Sequence, residues 1–79
     1  MSRLYRVVPS LVFGRYVAGD AELTSSDCIA FLDGNSILQG RVEHDSTCGG
    51  YFVRCVGSDD RRVPLSEIVF ARYVGSGRL

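Results

Sequence analysis

The sequence has 79 residues, with nine basic and nine acidic side chains that give a formal net charge of zero. A neutral chain lacks the basic excess with which proteins grip nucleic acid or anionic membranes, so nucleic acid is not favoured as a partner unless a local basic patch forms. No apolar run reaches membrane-spanning length and no signal peptide opens the chain, so we expect a cytoplasmic protein with no membrane partner.

Length and hydrophobicity together indicate a single domain, residues 1–79, that associates with itself. A chain this short buries only about 60% of the surface that its unfolded form exposes, so a monomer is marginally stable. Hydrophobic residues nevertheless make up 46% of the sequence, more than a small barrel with a polar surface needs. A second copy would cover the excess and enlarge the shared core. The three cysteines cannot all pair within one chain, so we expect reduced thiols.

Residues 1–25 are predicted to form an N-terminal β extension. Residues 3–8 and 11–18 are rich in Val, Tyr, Leu and Phe, which favours strands. Pro9-Ser10 separates the two runs, and a proline there favours a kink or loose corner over a tight hairpin. The polar segment 19–26 (GDAELTSS) is predicted to be a loop that joins the extension to the rest of the chain.

Residues 27–74 are predicted to form a five-stranded antiparallel barrel, because five short apolar runs are separated by turn residues. Asp33-Gly34 is a strong signal for a type I′ hairpin. Closing the hairpin there places Ile29 opposite Leu38 on the interior face.

The second hairpin is predicted to centre on a loop over residues 44–49. This register pairs Gly40 with Val53 on the interior face and Arg41 with Phe52 on the outer face, a consistent division between the two faces. Gly40 falls where a strongly bent barrel strand favours a residue without a side chain.

The third hairpin is predicted to turn at residues 58–60. A turn of this length points Val63 inward beside Cys55 and leaves Arg62 outward beside Val56. Other loop lengths would bury Arg62, which is unfavourable for an unpaired charge.

The end of the chain is predicted to contain a single 3₁₀ turn over residues 64–67, with proline favoured at its start. A closing strand then covers residues 68–74, and residues 75–79 form a frayed tail.

Five strands with a 3₁₀ turn before the last one resemble the SH3-like barrel. The segment VPLSEIVFARYV, residues 63–74, is similar to the final turn and strand of Sm-like and related small barrels. The order of three segments, ILQGRVEH, GGYFVRCV and VPLSEI, is also similar to that in plasmid-borne type II dihydrofolate reductases. Those are short SH3-like chains that form tetramers around one active-site pore. This resemblance implies an oligomer and an accessory protein of a bacterial mobile element. That family carries a Gln-Ile-Tyr motif on its fourth strand, where this sequence reads Arg62-Val63-Pro64, so the resemblance supports fold and assembly more than activity.

One outer face of the predicted barrel carries a candidate recognition surface. Its residues are Gln39, Arg41, Phe52, Arg54 and Arg62. In the predicted register Arg41 lies over Phe52 as a cation–π pair, with the two other guanidiniums beside it. Such a surface suits a phosphate, a carboxylate, or a nucleic-acid base stacked on the ring. The alternative is an ordinary solvated face in which Glu43 and neighbouring acids neutralise the arginines.

A second candidate cluster lies around the loop that holds His44, Asp45 and Cys48, with Cys55 further along. Zinc accepts these ligand types, but the spacing matches no recognised structural-zinc pattern, and Cys55 points inward in the predicted register. A Cys48 nucleophile with His44 as its base would lack both an orienting third group and an oxyanion pocket. We therefore expect no metal site, no cofactor and no catalytic set.

An apolar strip on the outer face is predicted to form the oligomer interface. Its residues are Cys28, Ala30, Ile37, Ile68 and Phe70. Either the N-terminal extension or another subunit must cover such a strip, and we expect both, hence a homo-oligomer.

Three functions are consistent with these features. The first is a non-enzymatic, self-associating binding module that recognises an anionic ligand or a protein partner. The second is an oligomeric pore-type reductase that resembles the type II dihydrofolate reductases. The third is an Sm-like RNA-binding barrel, whose binding would be sensitive to salt.

Overall fold

The computed structural model describes residues 3–11, 14–57 and 61–76. This part of the chain folds into eight strands and two short 3₁₀ turns. The strands are β1 (Tyr5–Pro9), β2 (Tyr16–Ala18), β3 (Ala21–Leu23), β4 (Asp27–Asp33), β5 (Ser36–Asp45), β6 (Gly50–Cys55), β7 (Arg62–Pro64) and β8 (Phe70–Ser76). The 3₁₀ turns are Ser46–Cys48, between β5 and β6, and Leu65–Glu67, between β7 and β8.

The strands form one antiparallel sheet in the order β3-β2-β1-β8-β4-β5-β6-β7. The predicted all-β class and the antiparallel sheet are confirmed. The predicted closed barrel of five strands is not, because the sheet has eight strands and does not close. The N-terminal extension accounts for the difference, since it adds three strands beyond β8.

The buried hydrophobic residues of the described chain form a core on the inner face of the sheet. Its largest fully buried side chains are Phe31, Leu23, Ile29, Leu65, Val42 and Val53. Ile29 and Phe31 are two residues apart on β4, as expected for a strand that presents alternate residues to one face. Burying each such side chain contributes roughly 1.5–3 kcal/mol to stability.

The N-terminal extension completes this core. β1 pairs with β8 at Tyr5 and Ala71, then with β2, and β3 follows as the end strand. The prediction of a loop over residues 19–26 is wrong there, because Ala21–Leu23 forms β3 after a turn in which Gly19 has a φ of +64°. Leu23 is fully buried, so the extension is a structural part of the fold. Only Tyr16–Ala18 of the predicted second strand is a strand, and residues 12 and 13 lie outside the described part.

The predicted hairpin registers are all displaced by two residues. The observed pairs are Ile29 with Gly40, Gly40 with Cys55, and Val53 with Val63. The first turn explains its displacement: Asp33 pairs with Ser36, so the loop is Gly34-Asn35. Gly34 has a φ of +61° and Asn35 does not have a positive φ, which is the pattern of a type II′ turn and not the predicted type I′. A displacement of two residues keeps every side chain on its predicted face, so Val63 points inward and Arg62 outward. The predicted turn at residues 58–60 lies outside the described residues.

The end of the chain matches its predicted 3₁₀ turn, which spans Leu65–Glu67 with Pro64 as its cap. The closing strand begins at Phe70, two residues later than predicted. Gly75 and Ser76 belong to β8, so the prediction of a frayed tail is wrong for these two residues. Residues 77–79 are not described.

Candidate anion-binding surface

Three arginines form a row across the outer face of β5, β6 and β7. Arg41 pairs directly with Arg54, and Arg54 pairs directly with Arg62. Like charges at directly opposed positions destabilise a sheet, so folding alone favours other residues here. We call Arg41, Arg54 and Arg62 the arginine row.

Glu43 is placed beside the row and contacts two of its members. Its Oε2 lies 3.6 Å from Nη2 of Arg41 and 3.5 Å from Nε of Arg54. Both distances exceed the 2.7–2.9 Å that is usual for charge-assisted hydrogen bonds. The arginine row and Glu43 together carry a formal charge of +2.

Phe52 lies next to the arginine row but is covered. It pairs with Glu43 on one side and with Pro64 on the other, and only 4% of it is exposed. The guanidinium carbon of Arg62 lies 5.4 Å from the ring centroid. The prediction that Arg41 forms the cation–π pair with Phe52 is therefore wrong. Arg62 lies over the ring, and the register places Arg41 opposite Arg54.

A shallow depression of about 340 Å³ opens at the end of the row that is nearest to β4. It is lined by Cys28, Arg41, Arg54, Cys55 and Val56. Cys28 pairs directly with Arg41, so the cysteine continues the row onto β4. Cys28 and Cys55 are free thiols, the first partly exposed and the second buried.

The structure brings together the residues that the sequence predicted for this surface. Gln39 is exposed and lies two residues before Arg41 on the same face of β5. The sequence alternative named Glu43 as an acid beside the arginines, and the structure places it next to Arg41 and Arg54. Sequence reasoning missed Cys28, whose cross-strand position opposite Arg41 a correct register would have identified.

A second depression, of about 440 Å³, lies near the 3₁₀ turn between β5 and β6. It is lined by Gly14, Arg15, His44, Ser46, Gly49, Gly50 and Tyr51. Nη1 of Arg15 lies 3.0 Å from Oε1 of Glu22, and this hydrogen bond, followed by one to Tyr51, raises the pKa of Arg15. The hydroxyl of Ser10 donates to the same carboxylate, and this bond, more than the Arg15 contact, lowers the pKa of Glu22. The arginine is thus already neutralised within the chain, which makes this depression the weaker anion site.

The loop cluster considered for metal or catalysis is occupied by structural contacts. Oδ1 of Asp45 accepts hydrogen bonds from the backbone N–H and the hydroxyl of Thr47, at 2.9 Å and 2.7 Å, and so caps the 3₁₀ turn. The His44 ring packs edge-on against Tyr51, with centroids 4.7 Å apart. Among the residues that the structure describes, no group of three or more His, Cys, Asp or Glu side chains could hold a metal ion.

The predicted interface residues are divided between the surface and the interior. Ile37 and Phe70 are exposed and Cys28 is partly exposed, but Ala30 and Ile68 are buried at 1% and 5% exposure. The prediction that Ile68 faces outward is wrong because it precedes β8 and packs into the core, while its neighbour Val69 is the exposed residue.

Comparisons with protein-family models, with curated proteins and with solved structures find no match to this chain. Within the described ranges, no helix has the length and hydrophobicity needed to cross a membrane.

Proposed function

We propose that this protein is a non-enzymatic binding module that recognises an anionic ligand, or an acidic surface of a protein partner, through the arginine row. The observation that carries the proposal is the direct opposition of Arg41, Arg54 and Arg62 on three adjacent strands. An arrangement that is unfavourable for folding becomes favourable when an oxyanion lies between the guanidiniums, because each can then donate charge-assisted hydrogen bonds.

We further infer that β8, β4, β5, β6 and β7 correspond to the five strands of an SH3-like unit, with the N-terminal strands added at the edge of β8. The strand order and the 3₁₀ turn between β7 and β8 support this assignment.

An oxyanion suits the arginine row better than a stacked nucleobase. Base stacking requires an accessible aromatic face, and Phe52 is only 4% exposed beneath Arg62. The Sm-like RNA-binding alternative is therefore less well supported. The reductase alternative gains no support from the residues at positions 62–64, where the glutamine and tyrosine of that family are missing.

The module is proposed to act as a homo-oligomer that buries an outer apolar strip. Leu32 pairs with Ile37. Ala71 pairs with Phe31, so the residue before it, Phe70, lies beside Leu32 on the same face of the sheet. Leu32, Ile37 and Phe70 are all exposed. A second copy that packs on this strip would remove it from water.

Isothermal titration calorimetry with sodium tripolyphosphate tests the binding proposal. Each charge-assisted hydrogen bond lost should cost about 1.5–3 kcal/mol, so the double variant Arg41→Gln/Arg54→Gln should bind at least about 100-fold more weakly. Arg6→Gln is the matched control, because Arg6 is an exposed arginine on β1, away from the row. Equal affinity of the wild type and the double variant would overturn the proposal.

Light scattering coupled to size-exclusion chromatography tests the assembly. The wild-type protein should elute with a mass above that of one chain, and Ile37→Ser/Phe70→Ser should shift it towards one chain. A wild-type monomer at all concentrations would contradict self-association.

A further inference from the structure

The depression beside the arginine row combines positive charge with apolar surface. Arg41 and Arg54 line one part of it, and Cys28, Cys55 and Val56 line the rest. Val56 is 75% exposed, although it continues the ladder by donating its backbone N–H to the carbonyl oxygen of Gln39 at 2.9 Å. Cysteine thiols behave as small hydrophobic groups, so this part of the lining is apolar.

A long polyanion would use only half of this lining. Its phosphates or carboxylates would contact the guanidiniums, while the Cys28 thiol and the Val56 side chain would stay in water. A ligand that joins one anionic group to a compact apolar body would contact both parts. The volume of about 340 Å³ lies at the small end of the range for small-molecule sites, about 300–1,000 Å³. The size therefore favours a small molecule over a peptide or a nucleic-acid strand.

The backbone around the depression holds its two walls in place. Gly40 pairs with Cys55, and an added Cβ at Gly40 would lie 2.5 Å from the carbonyl oxygen of Arg54, so β5 and β6 approach closely here. On the other side, the pairing of β4 with β8 shifts between Cys28 and Ile29, which is a β-bulge. Bulges re-aim side chains, and this one adjoins the Cys28 wall of the depression.

We infer that this depression binds a small organic anion, in which a phosphate or carboxylate is attached to an aromatic or branched aliphatic group. Arg41 and Arg54 take the anionic group, and Val56 with Cys28 takes the apolar body. This inference rests on the proposed function, since it assigns the ligand class of the same arginine surface.

Phenyl phosphate and inorganic phosphate are suitable paired probes, measured by calorimetry at equal pH and ionic strength. Phenyl phosphate should bind about tenfold more tightly, because burying part of the ring adds hydrophobic free energy. Val56→Ser should remove that difference and leave the affinity for inorganic phosphate unchanged. Val8→Ser, which alters an exposed valine on β1, is the matched control and should bind both probes like the wild type.

Protection of Cys28 gives an independent readout. Bound phenyl phosphate should slow alkylation of Cys28 by iodoacetamide, followed by peptide mass spectrometry so that the other cysteines do not interfere. Equal affinity for the two probes, no effect of Val56→Ser, or no protection of Cys28 would each overturn the inference. If tripolyphosphate still binds in those cases, the arginine row stands as a binding surface. If no anion binds, the proposed function fails as well.

Discussion

Replacement of Gly40 by alanine should destabilise the protein strongly, because the position has no space for one more carbon. A Cβ there would lie 2.4 Å from Cγ1 of Val53 and 2.5 Å from the carbonyl oxygen of Arg54, against 3.4–4 Å for ordinary contacts. The Val53 side chain is fully buried, and the Arg54 oxygen belongs to the backbone of β6. Neither atom can retreat without moving the strand that pairs with β5.

The size of the effect follows from these contacts. Overpacking a core costs typically about 1–3 kcal/mol, and two sub-3 Å contacts, one with backbone, place Gly40→Ala near the upper end. A loss of about 3 kcal/mol lowers the Tm of a domain of this size by roughly 12–24 °C. Gly75→Ala is the matched control: Gly75 is also in a strand, and an added Cβ there meets nothing within 4 Å. This control should be neutral or gain roughly 0.4–1 kcal/mol through the smaller entropy of its unfolded chain.

Urea and thermal unfolding followed by circular dichroism measure both variants. The reasoning is refuted if Gly40→Ala is as stable as Gly75→Ala. If Gly40→Ala does not fold, the double variant Gly40→Ala/Val53→Ala provides a second test, because removing the Val53 methyls relieves one of the two contacts. The double variant should then regain a cooperative unfolding transition that Gly40→Ala lacks. Where Gly40→Ala does fold, Val53→Ala should be less harmful in its background than in the wild type.

Two further predictions concern the N-terminal extension. Leu23→Ala should lower the free energy of unfolding, measured by urea unfolding, by about 2–5 kcal/mol, because Leu23 is fully buried. Leu11→Ala, at a fully exposed position, should have no effect. Equal effects of the two substitutions would place the extension outside the core. The pKa of Glu22 is lowered in the folded chain by the Ser10 hydroxyl and Arg15, so its stabilisation is present at neutral pH and is lost as pH falls through a folded-state pKa below 4.5. The stabilities of the wild type and Glu22→Gln, measured by urea unfolding at several pH values, should therefore converge in acid, and a difference that does not change with pH would contradict this assignment.

Residue periodicity was enough to predict the faces of the strands. Ile29, Phe31, Val42 and Val53 are buried as alternation indicates, and Arg41, Arg54 and Arg62 lie together on the opposite face. This part of the prediction is insensitive to where each turn closes, because a displacement of two residues preserves the face of every side chain.

Contacts between particular side chains could not be predicted in the same way. They depend on which residues form the turn, and both Asp33-Gly34 and Gly34-Asn35 are compatible with a tight hairpin. The second hairpin has the same ambiguity: it closes with Asp45 paired to Gly50, and this register places Arg41 opposite Arg54 and away from Phe52. The strand Ala21–Leu23 was missed because three residues are too few to show alternation, although the Gly19-Asp20 pair before it is a turn signal.

The sequence pattern also could not predict which residues outside regular strands are buried. Ile68 and Val69 are aliphatic neighbours between the 3₁₀ turn and β8. Extending the alternation of β8 back to them predicts a buried Val69 and an exposed Ile68, and the structure has the reverse. The backbone N–H of Ile68 donates to the carbonyl oxygen of Leu65 at 3.1 Å, which closes the 3₁₀ turn just before Ile68 enters the core.

The arginine row is tested most directly by mapping where an anion binds. In a titration of isotopically labelled protein with tripolyphosphate, followed by amide chemical shifts in NMR, the largest changes should fall on β5, β6 and β7 around Arg41, Arg54 and Arg62. They should also weaken steeply as salt is added. Changes that instead centre on Arg6 or Arg15, or that scatter over the whole chain, would contradict the assignment of this surface.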